Sequence, residues 1–118
     1  MTGLMLAALL ALAPQAGLSG SSDPRSEADF QCYGAALLMA GSAEASDTEL
    51  VNAASMVGFY YLGRLEGREP GVDWPGRGAA IQDDKSDAFM AHLQRCATEF
   101  EAKGQELIAA GDKAAAAS

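Results

Sequence analysis

The sequence predicts an all-α domain: a small bundle of three main helices, with room for a short fourth, tied by one disulfide and preceded by an export signal. Three observations carry this. Apolar residues recur at spacings of three, four and seven in three separate stretches, and no stretch alternates as a strand would. Capping residues stand before these stretches, and Gly or Pro after them. The two cysteines, Cys32 and Cys96, fall on the first and last stretches. An even pair in an exported chain reads as a disulfide.

A chain of 118 residues has room for one domain. Hydrophobic residues make up 49%, but Ala and Gly inflate that figure and aromatics supply only 7%. The core is therefore thin, and a bridge closing a loop of roughly 65 residues would stabilise it by about 4 kcal/mol in the chain-entropy view. The net charge of −8 at pH 7 argues against nucleic acid, whose affinity rests on Lys and Arg, and against an anionic lipid surface.

Taken in order, residues 1–17 carry no charged side chain, and Leu4 to Ala13 is continuously apolar. Ten residues cannot cross a bilayer, which needs about 20. Followed by small residues around Ala13-Pro14-Gln15-Ala16-Gly17, the run reads as a secretory signal. No Lys or Arg precedes it, and Pro14 would stand three residues before a cut after Ala16. A short N-terminal core helix is the alternative. With the signal removed, no stable membrane insertion is expected, and the address is periplasmic or secreted. Residues 18–23 read as a flexible spacer.

The helical domain spans 24–111. Asp23-Pro24 resembles an N-cap with Pro at the first helical position, with Ser26 and Asp29 as a competing capping pair. The first helix then runs to about Ala40, and Gly41 ends it. Ser46-Asp47-Thr48-Glu49 is a capping box, with Ala45 and Leu50 as a staple. From Leu50 to Gly63 there is no charge, and the helix is apolar on two sides. It reads as the central helix on which the others fold. Gly67 and Pro70 end it. Residues 67–80 form a Pro/Gly-rich crossing with a helical turn after Asp73, and Trp74 serves as a lid. Asp83, Asp84 and Ser86 are caps for one last helix carrying Phe89, Leu93, Cys96, Phe100, Leu107 and Ile108. Gly111 stops it, and 112–118 is a disordered tail.

Little of this carries chemistry. The single histidine, His92, shares a helix face with Cys96, but that cysteine is expected to be oxidised and no further ligand stands nearby. Asp83, Asp84 and Asp87 lack the Gly and terminal Glu of a calcium loop and read as caps. There is no phosphate-binding glycine loop and no nucleophile elbow. No catalytic residue, metal or cofactor is expected.

Arg64 and Arg68, one helical turn apart, either hold an acidic partner or pair internally with Glu66, Glu69 or acids of the last helix. Internal pairing is the simpler reading. Met56, Phe59, Tyr60 and Gly63 lie opposite the broad apolar face of their helix. Burial under the Trp74 segment is expected of them, with an exposed patch for a protein partner as the alternative. Met56, Phe59, Tyr60, Gly63, Arg64 and Arg68 together are the candidate partner surface.

The signal sequence, Cys32, the block Tyr60-Tyr61-Leu62-Gly63-Arg64-Leu65-Glu66-Gly67-Arg68 and Cys96 resemble the layout of a group of small exported, functionally uncharacterised helical proteins of Gram-negative bacteria. More coarsely, the layout resembles HdeA-type acid-stress chaperones, which are acidic helical domains with one disulfide. It also resembles Rap/Tai immunity proteins of type VI secretion, which carry a signal, cysteines and an aromatic-Gly-x-x-x-Gly helix. Cysteine spacing and loop composition match neither family, so no functional residue carries over. The expectation is a non-catalytic periplasmic interaction protein; the alternatives the resemblances imply are an acid-stress chaperone and an immunity protein.

Overall fold

The computed structural model describes residues 17–44 and 46–117. The export segment expected over 1–17 lies, Gly17 apart, outside the described residues, as does Ala45 of the expected staple. Among the described residues there are five helices and no strand: α1 (Pro24–Ser42), α2 (Thr48–Arg68), α3 (Trp74–Ile81), α4 (Ser86–Met90) and α5 (Leu93–Ala117). None of them is long and apolar enough to cross a membrane.

Local chemistry sets most of the boundaries. The Asp23 carboxylate accepts from Arg25 N at 2.9 Å, and Pro24 follows, so α1 starts where a preset φ and a satisfied amide coincide. Ser26 takes no part in capping and is buried instead. At α2 the cap is Asp47, accepting from Leu50 N at 3.1 Å, rather than Ser46 of the expected box. Asp73 caps α3 through Gly76 N at 3.1 Å. Instead of a single turn, the crossing leads into an eight-residue helix that runs one residue past it, to Ile81.

The last helix departs further from expectation. Asp83 and Asp84 cap nothing, and Lys85 opens α4 without a side-chain bond. A turn at Ala91 and His92 separates α4 from α5. Gly111 does not stop α5, which continues to Ala117.

α1 is the hub, a place the sequence pattern gave to α2. All four other helices pack on α1, most extensively α2. Its residues Ser26, Asp29, Phe30 and Cys32 through Ala36 are all buried. The interior is aromatic. The Phe30 ring lies 5.7 Å from Trp74 and 5.8 Å from Phe89, centroid to centroid, with Tyr61 and Leu65 completing the cluster. Such tilted and edge-on pairs add to the gain from burial alone. Trp74 does act as a lid: it is fully buried and its indole N–H donates to Glu69 O at 3.3 Å.

Cys32 and Cys96 are joined, with Cα atoms 5.3 Å apart, and the link fastens α5 to α1. Beside it, Arg95 Nη2 donates to Ala28 O at 3.3 Å and to Gln31 Oε1 at 3.0 Å.

The expected spacer is docked rather than flexible. Ser19 is buried; its N and Oγ donate to Glu27 Oε1 at 2.9 and 3.1 Å, and its carbonyl accepts from Arg77 Nη1 at 2.6 Å. Ser21 Oγ donates to Glu69 Oε2 at 2.8 Å, and Leu18 packs against the core. Gly20, at φ +72°, supplies the left-handed bend this path needs.

Gly34 shows how tight the interior is. A Cβ there would collide with the Phe89 ring, which is fully buried and cannot swing clear. Gly34→Ala gains about 1 kcal/mol of helix propensity but incurs overpacking of about 1–3 kcal/mol. The expected result of urea unfolding is net destabilisation, relieved when Phe89→Leu is combined with it.

Candidate interaction surface

α2 divides its circumference unequally. Ala54, Gly58, Tyr61 and Leu65 are buried toward α1 and the aromatic cluster. On the far side Met56 is 62% exposed and Phe59 72%, and Gly63 is open. The expected cover by the Trp74 segment does not occur, because Trp74 seals the opposite side of the bundle against Phe30. Tyr60 alone of that set is half-buried, its ring 5.6 Å from Phe100 and 4.9 Å from Tyr61.

Next to Phe59, α1 and α2 leave a groove of about 140 Å³ lined by Tyr33, Leu37, Ala54, Gly58 and Leu62. Small residues at the crossing, Ala36 against Gly58, let the helices approach, while Leu37 and Leu62 form walls on either side. A second apolar slot of about 130 Å³ lies beside the disulfide, between Met39, Leu50, Val57 and Leu93. Exposed apolar side chains adjoining such grooves are what an interaction site offers.

The basic pair faces inward. Arg64 Nε and Arg68 Nη2 both reach Asp29 Oδ2, at 3.0 and 2.9 Å. Arg68 Nη1 donates to Ser26 Oγ at 3.3 Å, and Arg64 Nη1 to Tyr60 OH at 3.2 Å. Internal pairing is thus the outcome, but with Asp29 of α1 rather than with Glu66, Glu69 or the last helix. Hydrogen bonding to Asp29 raises the Arg64 pKa above its usual value. Sequence spacing could not find Asp29: it sat in a candidate capping pair, and its partners are 35 and 39 positions away.

Arg64 and Asp29 border a cleft of about 320 Å³ between α1, α2 and α5, with Arg25, Glu99, Lys103 and Glu106 on its other walls. At its base Tyr61 OH lies 3.1 Å from both Cys96 O and Glu99 Oε2. Burial, reinforced by the Glu99 charge, pushes the Tyr61 phenol well above its ordinary pKa. This cleft binds the three long helices to one another. His92 is half-buried in the turn before α5, and its helix neighbour Cys96 is held in the disulfide. Among the described residues no group of His, Cys, Asp or Glu is placed to hold a metal ion.

Compared with protein-family models, with curated proteins and with solved structures, the chain matches none. The residues themselves therefore carry the functional reading.

The Asp29 clasp makes an ordered prediction. The Asp29 side chain is 6% exposed, that of Arg68 17% and that of Arg64 43%. Removing Asp29 leaves two guanidiniums short of their acceptor, so Asp29→Ala should cost about 2 kcal/mol, below the range for fully buried pairs because Arg64 is partly solvated. Arg68→Ala should cost more than Arg64→Ala. Chemical unfolding of the three variants checks the order.

Proposed function

We propose that the protein is a non-catalytic, exported helical module that binds another protein through the Met56–Phe59 side of α2. One observation carries the reading: Phe59 stands mostly exposed at the groove between α1 and α2, with exposed Met56 one turn back on the same helix, in a domain that has few large apolar side chains to spare. Leaving them in water forgoes roughly 1.5–3 kcal/mol each. A partner side chain the size of Leu or Phe would fill the groove between Leu37 and Leu62, with Phe59 closing over it. Arg64 and Arg68 serve this surface only from behind, since Asp29 occupies them. Gly63 adds a flat stretch that a partner backbone could approach.

The test separates binding from folding, because these side chains are exposed. Phe59→Ala combined with Met56→Ala should leave the melting temperature unchanged and weaken recovery of the native partner at least tenfold, the scale of one aromatic anchor. Undiminished recovery by the double variant refutes this surface.

A second reading, an acid-stress chaperone, draws support from the carboxylates that fasten the bundle. Asp29, Glu99, Glu27 and Glu69 join separate segments through hydrogen bonds to Arg64 and Arg68, Tyr61, Ser19 and Ser21 respectively. Arg25 hydrogen bonds hold the Asp23 cap down at about 2, and hydrogen bonds from Ser26 and Ser21 lower Glu69. Groups depressed in the folded state lend stability above their unfolded pKa and lose it as pH falls through the folded one. For Asp23 that window runs from the ordinary 3.8 down to about 2.

Stability should therefore be level above about pH 5 and decline below pH 4. Asp23→Asn should flatten part of that decline. At the alkaline end the sign reverses. Tyr61 is raised by burial, so its contribution is complete below about pH 10 and falls away above it. A pH series of urea midpoints checks both arms. Suppression of client aggregation at pH 2–3 distinguishes a chaperone from a protein that merely loosens.

A further inference from the structure

Glu27 is the one carboxylate at the start of α1 whose hydrogen-bond partners are all neutral. It lies half-buried in the first helical turn, where a negative charge is favoured. Oε1 accepts from Ser19 N and Ser19 Oγ, and Oε2 accepts from Gln31 Nε2 at 3.1 Å. No cation among the described residues forms a salt bridge with it. Gly17 lies directly against the same carboxylate: a Cβ built there would collide with Oε1 and Cδ. Only glycine fits, and its nitrogen is a single bond, about 1.46 Å, from the Cα that touches Glu27. Beyond Gly17 the path is held at Leu18, Ser19 and Ser21, so the approach is fixed by the fold.

We propose that the chain is cut between Ala16 and Gly17, and that the ammonium released on Gly17 is held by the Glu27 carboxylate. This rests on the export reading of residues 1–17. The agent is an export peptidase that selects small side chains before the cut; Ala16 meets this next to the cut, and Pro14 departs from it two residues earlier. Water adds across the Ala16–Gly17 peptide bond; Ala16 leaves as a carboxylate and the Gly17 nitrogen, taking both water protons, becomes –NH₃⁺. A full positive charge then replaces a neutral amide beside a carboxylate that forms no salt bridge among the described residues. The same event completes the seal in which Ser19 and Arg77 close the end of the bundle. A competing small-x-small sequence, Ala11-Leu12-Ala13, would instead leave Pro14 first and no charge at Gly17.

The full chain is exported from a Gram-negative host, and its intact mass and N-terminal sequence are read. A first residue of Gly17 is the expected result. A start at Pro14, or at any other internal residue, overturns the assigned cut while leaving export standing; an intact Met1 overturns the export reading and the cut with it. Capture is read separately, on chains beginning at Gly17 with a free or an Nα-acetylated terminus, each with Glu27 or Glu27→Gln. Acetylation should lower the melting temperature by roughly 2–5 °C with Glu27 and leave it unchanged in Glu27→Gln. Equal losses in the two backgrounds overturn the capture.

Discussion

The constraint beneath this structure is geometric: one short stretch of helix, Ser26 to Ala36, is enclosed on nearly every side by α2, α3, α4 and α5. Each position must then be small, aromatic or fully paired. Gly34 makes room for Phe89, while Ala35 and Ala36 let α2 approach. Phe30 and Tyr33 fill what is left. The one fully buried charge in the stretch, Asp29, is tolerated because two guanidiniums meet it. A buried carboxylate without them would cost several kcal/mol. The same demand accounts for Cys32, which carries a covalent bond to α5 on its enclosed face.

This explains what the sequence displayed and what it hid. Helical class, the cap at Asp23, the place where α2 begins to within a residue, and the joining of Cys32 to Cys96 were legible, because each rests on local chemistry or on simple pairing. The central place of α1 was not. Hydrophobic periodicity weighs side chains by size, so Val51, Val57, Phe59, Tyr60 and Leu62 made α2 look like the interior helix. Burial is decided by how closely neighbours can approach, and there the small side chains of α1 prevail. Met56 and Phe59 were expected under cover for the same reason, and they stand open because Trp74 was drawn to Phe30 on the other side. The Asp29 clasp lay beyond any spacing rule, since its members meet only through tertiary packing.

α5 illustrates a different limit. Through Phe100 it is fastened by the disulfide, by Arg95 to the α1 backbone and by the Tyr60 and Tyr61 contacts. Beyond Phe100 its side chains are largely exposed, Leu107 and Ile108 among them, and the helix nonetheless passes through Gly104 and Gly111 to Ala117. The glycine that reads as a stop in sequence does not act as one here. A helix ends where its backbone finds another partner, and no capping contact is offered at Gly111.

Most acids lie in solvent and most large apolar side chains lie within, as composition suggests, but a few of each do not. Here several carboxylates work between segments, at Asp29, Glu27, Glu69 and Glu99, while Met56 and Phe59 face outward. The hydrogen bonds that hold Asp23 and Glu69 low make part of the bundle's cohesion responsive to protonation, and the exposed pair leaves an apolar face available while the fold is intact. A protein-binding module needs only the second property, and a protein that acts in acid needs the first as well. Binding through Phe59 at neutral pH therefore decides more than acid behaviour does, because loss of carboxylate pairing would loosen many acidic domains without giving them a partner.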